Sequence, residues 1–296
     1  MWLALALVSA VLLGIYDVFK KYSVNDNAVF PVLLFSCSTS ALLFVPVFIM
    51  SAVHPELMKS IGLYLPALSK HEHFLVILKS ILVVSSWIFA FFALKHLPLT
   101  IVSPIRATAP VWTLTGALLI FSERLTPVQW AGLGVTIIFF YLFSTAGKTE
   151  GISFRTNKWV WFIILATLLG SASALYDKHL MRYYDRIAVQ AWFSVYQVVL
   201  LLPATLLFWY PRRKAVPFKW RWTIPLIGLF LVVSDFTYFY ALSYEDSLIS
   251  IISVIRRSGV VVAFTFGALL FREKNIRRKS LYLAGILAGV ILLMIS

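Results

Sequence analysis

Ten runs of apolar residues, each close to the length of a bilayer-crossing helix, leave this chain little choice of fold. They cover 2–22, 29–52, 74–94, 98–121, 127–145, 159–181, 188–210, 221–242, 247–271 and 280–295. A helix needs about 20 such residues to cross the hydrocarbon layer of a membrane. In lipid every backbone N–H and C=O must be paired within the structure, which a helix does by itself. The expected fold is therefore an all-α polytopic membrane protein of ten transmembrane helices. Composition agrees, with 61% hydrophobic and 13% charged residues. A soluble domain carries about 25% charged residues. The first apolar stretch lacks the preceding basic residues of a signal peptide and reads as the first span.

Several links between runs are very short. Glu123-Arg124-Leu125-Thr126 joins spans four and five, and Glu245-Asp246 joins spans eight and nine. Such links leave no room for an extramembrane domain, so whatever the chain does, it does inside the membrane. The longest insertion, 53–73, contains Pro55, Leu57, Met58, Ile61, Leu63, Tyr64 and Leu65. It is too short and broken to span, and an amphipathic stretch lying in the interface is expected. Gly147-Lys148-Thr149 resembles the end of a phosphate loop, but Leu142 occupies the position of the required first glycine.

Other chemistries are poorly supplied. The single cysteine, Cys37, permits no internal disulfide and no multi-cysteine metal site. His71-Glu72-His73 stands on a link with no second cluster nearby, so no metal site and no cofactor are expected. The net charge of +14 lies mostly between apolar runs, as in loops that face cytoplasm and anionic lipid, which argues against a nucleic-acid partner. His96 and His179 sit at span ends, where a proton relay is a minor alternative to simple solvation.

The two halves of the chain repeat each other. Tyr16-Asp17 recurs as Tyr176-Asp177, Ala93-Leu94 as Ala241-Leu242, Arg106 as Arg256, and Glu123 as Glu273. Gly116-Ala117-Leu118-Leu119 recurs as Gly267-Ala268-Leu269-Leu270. The division places a first repeat at 1–147, a linker at 148–157 and a second repeat at 158–296. Five spans per half is an odd number, so the second copy enters the bilayer upside down relative to the first. Inverted repeats build many secondary transporters, which hold substrate near the midplane where the repeats meet.

Each half closes with a Gly-Ala-Leu-Leu-type run, a Glu-Arg or Glu-Lys pair and a glycine-spaced last helix. In the first half this reads Pro104-Ile105-Arg106 through Val111, then Phe121-Ser122-Glu123-Arg124-Leu125-Thr126 and Trp130-Ala131-Gly132. In the second it reads Phe271-Arg272-Glu273-Lys274, then Ala284-Gly285 and Gly289. On these residues the chain resembles the EamA branch of the drug/metabolite transporter (DMT) superfamily. The resemblance implies ten helices around a central cavity that opens to alternate sides. It also implies a cell membrane, with the bacterial cytoplasmic (inner) membrane the expected setting. It does not fix a substrate, since the family is similar to carriers of amino acids, other metabolites, drugs and nucleotide sugars. Val254-Ile255-Arg256-Arg257-Ser258-Gly259 departs from the proline and small apolar residues of many members, so the pocket is expected to differ from theirs.

Charges inside spans are costly and mark functional positions with partners to be found. Arg106 lies about a third of the way along span four, and Arg256 with Arg257 lies at similar depth in span nine. Adjacent helical residues point about 100° apart, so Arg256 and Arg257 cannot both face one spot. Asp235 lies past the middle of span eight, while Asp17 and Asp177 lie near the ends of spans one and six. Arginines facing a cavity would grip a carboxylate or phosphate through bidentate hydrogen bonds. Two alternatives are that they pair permanently with Asp17, Asp177 or Asp235 and pin helices together, or that they snorkel. Asp235 is the best candidate for a proton-coupling carboxylate, a role that a permanent ion pair would block. Trp87, Trp112, Tyr238 and Tyr240 lie far enough inside spans to line the cavity, against simple helix packing. Tryptophans at span ends, such as Trp159, Trp209 and Trp220, fit an interfacial belt.

The links numbered odd from the N-terminus carry more than twice as many basic residues as the even ones, counting Lys20, Lys21 and Lys279 with the former and Lys79 with the latter. By the positive-inside rule both termini would then lie outside, whereas the resemblance implies both inside. The expectation is an alternating-access transporter of a small anionic or zwitterionic metabolite, such as an amino acid or organic acid, and not an enzyme. Its partners are that solute, the bilayer and a coupling proton, and either a monomer or a homodimer fits. A lipid-linked carrier or flippase, or a carrier of a cationic or drug-like solute, is the alternative. Gly116, Gly132, Gly134, Gly267, Gly285 and Gly289 are expected at close helix contacts.

Overall fold

The computed structural model describes residues 2–109, 111–112, 126–148, 152–242, 255–256, 259–270 and 275–295. Arg257, Gly116, the Glu123, Glu245 and Glu273 links and the segment 247–254 lie outside the described residues. Among the described residues the regular elements are all helical. The first half holds α1 (Trp2–Val24), α2 (Val29–Val53), α3 (Pro55–Ser60), α4 (Lys70–His96), α5 (Leu99–Ala107) and α6 (Pro127–Lys148). The second holds α7 (Lys158–Tyr183), α8 (Arg186–Ala204), α9 (Thr223–Leu242), α10 (Gly259–Leu270) and α11 (Ile276–Ile295). Among the described residues five segments are long and apolar enough to cross a membrane: Trp2–Val24, Val29–Val53, Lys70–His96, Lys158–Asp177 and Arg186–Arg212. Trp130–Phe143, Thr223–Tyr238 and Gly259–Leu270 are apolar but shorter.

Polar residues start several of these helices. Ser69 and Glu72 form a reciprocal capping box at α4, with Glu72 N donating to Ser69 Oγ at 3.3 Å and Ser69 N donating to Glu72 Oε2 at 2.5 Å. Asn157 caps α7 by accepting from Trp159 N at 2.9 Å, and Asp185 caps α8 by accepting from Ala188 N at 2.8 Å. Pro203 near the end of α8 lacks an N–H to donate to the preceding turn, and the helix continues as a wide π turn over Thr205–Trp209. A 3₁₀ turn, Tyr210–Arg212, follows. Between α2 and α4 the insertion is helical only over α3, after which Gly62 takes φ +68°.

Burial runs opposite to that of a soluble protein. Leu207, Leu269 and Ile138 are exposed by 71%, 70% and 58%, whereas Ser9, Ser80, Thr100 and Ser234 are fully buried. Apolar side chains facing outward need no polar partner in lipid, and small hydroxyls inside bond to backbone between helices. Ser9 and Ser234 join α1 to α9 through mutual bonds of 2.8–3.0 Å, and Ser86 Oγ donates to Ala166 O at 2.7 Å between α4 and α7.

The packing interleaves the halves. Helix α1 lies on α9 and α10, just as α7 lies on α4 and α5. Helix α2 meets α8 and α9, as α8 meets α2 and α4, while α5 meets α10 and α6 meets α11. Exchanging each helix for its repeat counterpart reproduces these pairings, although α1 and α2 also meet α4 without a match of comparable extent among the described residues. Glycine permits the closest approach. A Cβ on Gly14 of α1 would stand 2.7 Å from Gly259 O of α10, a contact that no alanine tolerates without a shift. Gly267 packs against Leu99, Gly285 against Phe139 and Gly289 against Thr136, whereas a Cβ on Gly134 would meet nothing.

Candidate functional site

Charged side chains gather inside the bundle as two groups. The first is built on α1 and α5. Arg106 Nη1 donates to both carboxylate oxygens of Asp17 at 2.6 Å, and Lys20 Nζ donates to Asp17 Oδ1 at 2.7 Å. Asp17 and Lys20 share one face of α1 because residues three apart on a helix are neighbours. Lys20 is 1% exposed, with its ammonium 4.2 Å from the Tyr16 ring centroid and 5.2 Å from that of Phe91. The Arg106 side chain keeps 35% of its surface.

The second group lies on α4, α7, α9 and the segment before α10. Arg256 pairs with Asp235, and its guanidinium carbon sits 3.9 Å above the Tyr238 ring. Lys79 pairs with Asp177, its ammonium 4.6 Å from the Phe193 ring. Lys79 and Asp177 also lie within electrostatic range of Asp235, so the two ion pairs are neighbours. Arg256 Nε is buried without a hydrogen-bond partner among the described residues.

The groups meet α4 at different depths, the first beside Phe91 and the second at Lys79. Lys21, next to the first group, donates to Leu94 O at 2.6 Å and Leu97 O at 2.7 Å, which sets the end of α1 beside the end of α4. Lys79 lies a third of the way along α4, about 18 Å along the axis from Phe91 at 1.5 Å per residue. Tyr16, 3% exposed, is within electrostatic range of Asp17, Arg106 and Asp235 and so lies between the groups.

The difference between them is one of charge. At ordinary ionisation the first group has two cations on one carboxylate and a surplus of one positive charge. Among the described residues, which do not include Arg257 beside Arg256, the second has two cations and two carboxylates and is balanced. A surplus guanidinium whose carboxylate has a second cation can turn to an incoming anion without stranding a buried charge. A balanced group gains less from an added ion and is better suited to holding helices together.

The structure therefore brings Arg106 to Asp17, and Arg256 with Tyr238 to Asp235, and places Asp177 with Lys79. Trp87 lies between the groups along α4 and packs edge-on against Phe193 at 6.4 Å. Trp112 donates from Nε1 to Thr108 Oγ1 at 3.1 Å and is 37% exposed. Tyr240 is not brought to Arg256. It stands about 200° around α9 from Tyr238 and stacks on Phe236 at 6.4 Å. Arg257 and the His179 side chain lie outside the described positions.

Sequence reasoning missed the lysines. Lys20, Lys21, Lys79 and Lys279 had been counted with the links, but all four are buried within helices. Lys279 Nζ donates to Thr100 Oγ1 at 2.8 Å, tying α11 to α5. Moving them out of the links leaves the basic bias toward odd links unchanged in direction. The spacing of Asp17 and Lys20 was the available signal for one ion pair.

Residues 1–145 and again 157–295 match the EamA-like transporter family. No curated protein matches the chain. A solved crystal structure matches with a TM-score of 0.60 at 14% identity, over 99% of this chain and 98% of that one. That likeness is one of fold.

Proposed function

The chain belongs to the EamA-like transporter family, and from that premise we propose that this multi-pass membrane transporter carries a small carboxylate-bearing solute, zwitterionic in preference to purely anionic. It does so by alternating access between two inverted five-helix halves, ten spans in all. The observation that carries the reading is the surplus charge of the first group: Lys20 neutralises Asp17 and leaves Arg106, one-third exposed, to receive a carboxylate. A bidentate guanidinium–carboxylate contact gives both energy and orientation. The second group is balanced, so an ammonium group gains from it only when Asp235 is released from Arg256. A small zwitterion is far shorter than the distance between the groups, so its carboxylate is held at Arg106 while its ammonium points along the cavity toward the second group.

The second group serves as a closure. Arg256, Asp235, Lys79 and Asp177 tie α4, α7, α9 and the start of α10 at the end away from Arg106. Asp235 remains the candidate for proton coupling, because opening this group releases its carboxylate from Arg256.

The test is counterflow in proteoliposomes loaded with neutral amino acids, dicarboxylates or diamines, using the matching labelled solute outside. Exchange of neutral amino acids that vanishes in Arg106→Gln, with the protein still folded, supports the reading. Exchange of diamines alone, or wild-type exchange by Arg106→Gln, overturns it.

A further inference from the structure

A groove of about 550 Å³ opens among the helix ends on the face to which the first ion-pair group is nearer, apart from both groups. Its volume falls within the roughly 300–1,000 Å³ of single small-molecule sites. Phe30 at the start of α2, Ile88 and Phe92 near the end of α4, Trp159 at the start of α7 and Phe208 in the π turn form its walls. Phe30 packs edge-on to Phe92 at 5.7 Å and stacks with Phe208 at 5.8 Å, so the wall is a continuous aromatic surface. Each contributing helix enters at its terminus, which puts the groove at headgroup depth. Trp159 and Trp209 beside it are the residues that favour that depth.

The mouth is basic. Lys95 and His96 end α4, and Arg212 ends the 3₁₀ turn. Lys95 Nζ donates to Asn27 O at 2.8 Å, which uses one of its three donors. Arg212 makes no side-chain hydrogen bond or ion pair among the described residues. His96 stacks on Trp159 with centroids 3.6 Å apart, and Lys158 lies over the same indole at 4.7 Å. Asp26, in the turn between α1 and α2, offsets part of the Lys95 charge. Among the described residues no acidic one lines the groove.

We propose that this groove binds an anionic glycerophospholipid, with an acyl chain against Phe30, Phe92 and Phe208 and the phosphate on Lys95 and Arg212. A free phosphate would gain nothing from the aromatic walls, and a zwitterionic lipid would bring a choline or amine toward cations. An anionic lipid satisfies both ends of the site. It bridges α2, α4, α7 and the end of α8, which come from both halves, so its occupancy would bias their relative position.

The experiment is thermal unfolding of the full-length protein in detergent, titrated with short-chain phosphatidylglycerol, phosphatidylcholine or glycerol 3-phosphate. A ligand that binds the folded state raises Tm. The expected result is a larger rise with phosphatidylglycerol than with phosphatidylcholine, and none with glycerol 3-phosphate. In Arg212→Ala and in Lys95→Ala/Arg212→Ala the advantage of phosphatidylglycerol should shrink and then vanish. Arg212 is exposed, so the single variant tests the idea even if the double one unfolds. Equal rises with the two lipids, an undiminished phosphatidylglycerol advantage in Arg212→Ala, or an equal rise with glycerol 3-phosphate would each overturn the proposal.

Discussion

Arg106 and Arg256 hold matching places in the two halves, as do Asp17 and Asp177, but the matching contacts are not both made. In the first half Arg106 meets Asp17, joined by Lys20 from the same helix. In the second half Arg256 meets Asp235 instead, and Asp177 is taken by Lys79 of the other half. Among the described residues one repeated pattern thus yields a three-member group with spare positive charge and a four-member group with none. An internal repeat fixes where charges lie, while the choice of partner belongs to the packing. Under the alternating access proposed above, the two halves would not hold the same contacts at the same moment, and the unequal pairing gives that asymmetry a chemical form.

The sharpest way to break this comparison is to remove its carboxylates one at a time. Asp17→Asn strands both Lys20 and Arg106 in a buried site, and should cost about 3–5 kcal/mol, read as a large fall in Tm. Asp235→Asn leaves Arg256 about a quarter exposed and should cost less, about 1–2 kcal/mol after solvent screening. An equal or larger loss from Asp235→Asn would reverse the roles assigned to the two groups.

The α1–α10 crossing comes next in size. Gly259→Leu forces a side chain into the backbone of α1 and should cost about 1–3 kcal/mol together with solute exchange. Gly134→Ala, with open space around its Cβ, should change neither, and an equal effect from both would show that close approach is not the cause. Smaller still is the Lys79–Asp177 tie between halves. A double-mutant cycle through Lys79→Ala and Asp177→Ala should give a coupling of about 0.5–1 kcal/mol, because Asp177 is one-third exposed. A coupling of zero would remove Lys79 from the second group.

The sequence made the helical fold and its repeat legible because both rest on residue order alone: apolar run length, link length and recurring pairs. It also marked Arg106, Arg256, Asp17, Asp177 and Asp235, since a charge inside an apolar run stands out wherever it points. What it could not supply was the pairing, because two arginines and three aspartates admit many matches until helices are placed side by side. The lysines escaped for a related reason. Lys20 and Lys79 lie close to the ends of their apolar runs, where a long side chain normally reaches water, and only the packed bundle shows that they turn inward. Gly14 and Gly259 carry no signal in an apolar run either, since a close crossing is a property of two helices.

The surplus charge of the first group is the centre of the account, and ligand-induced stabilisation of purified Arg106→Gln tests it most directly. This variant leaves Asp17 paired with Lys20, so it should fold and melt within a few degrees of the wild type. The account predicts that a neutral amino acid found to raise the wild-type Tm will raise that of Arg256→Gln to a reduced extent and will not move that of Arg106→Gln. An undiminished rise in Arg106→Gln, with the response lost in Arg256→Gln instead, would contradict it and place the solute on the second group.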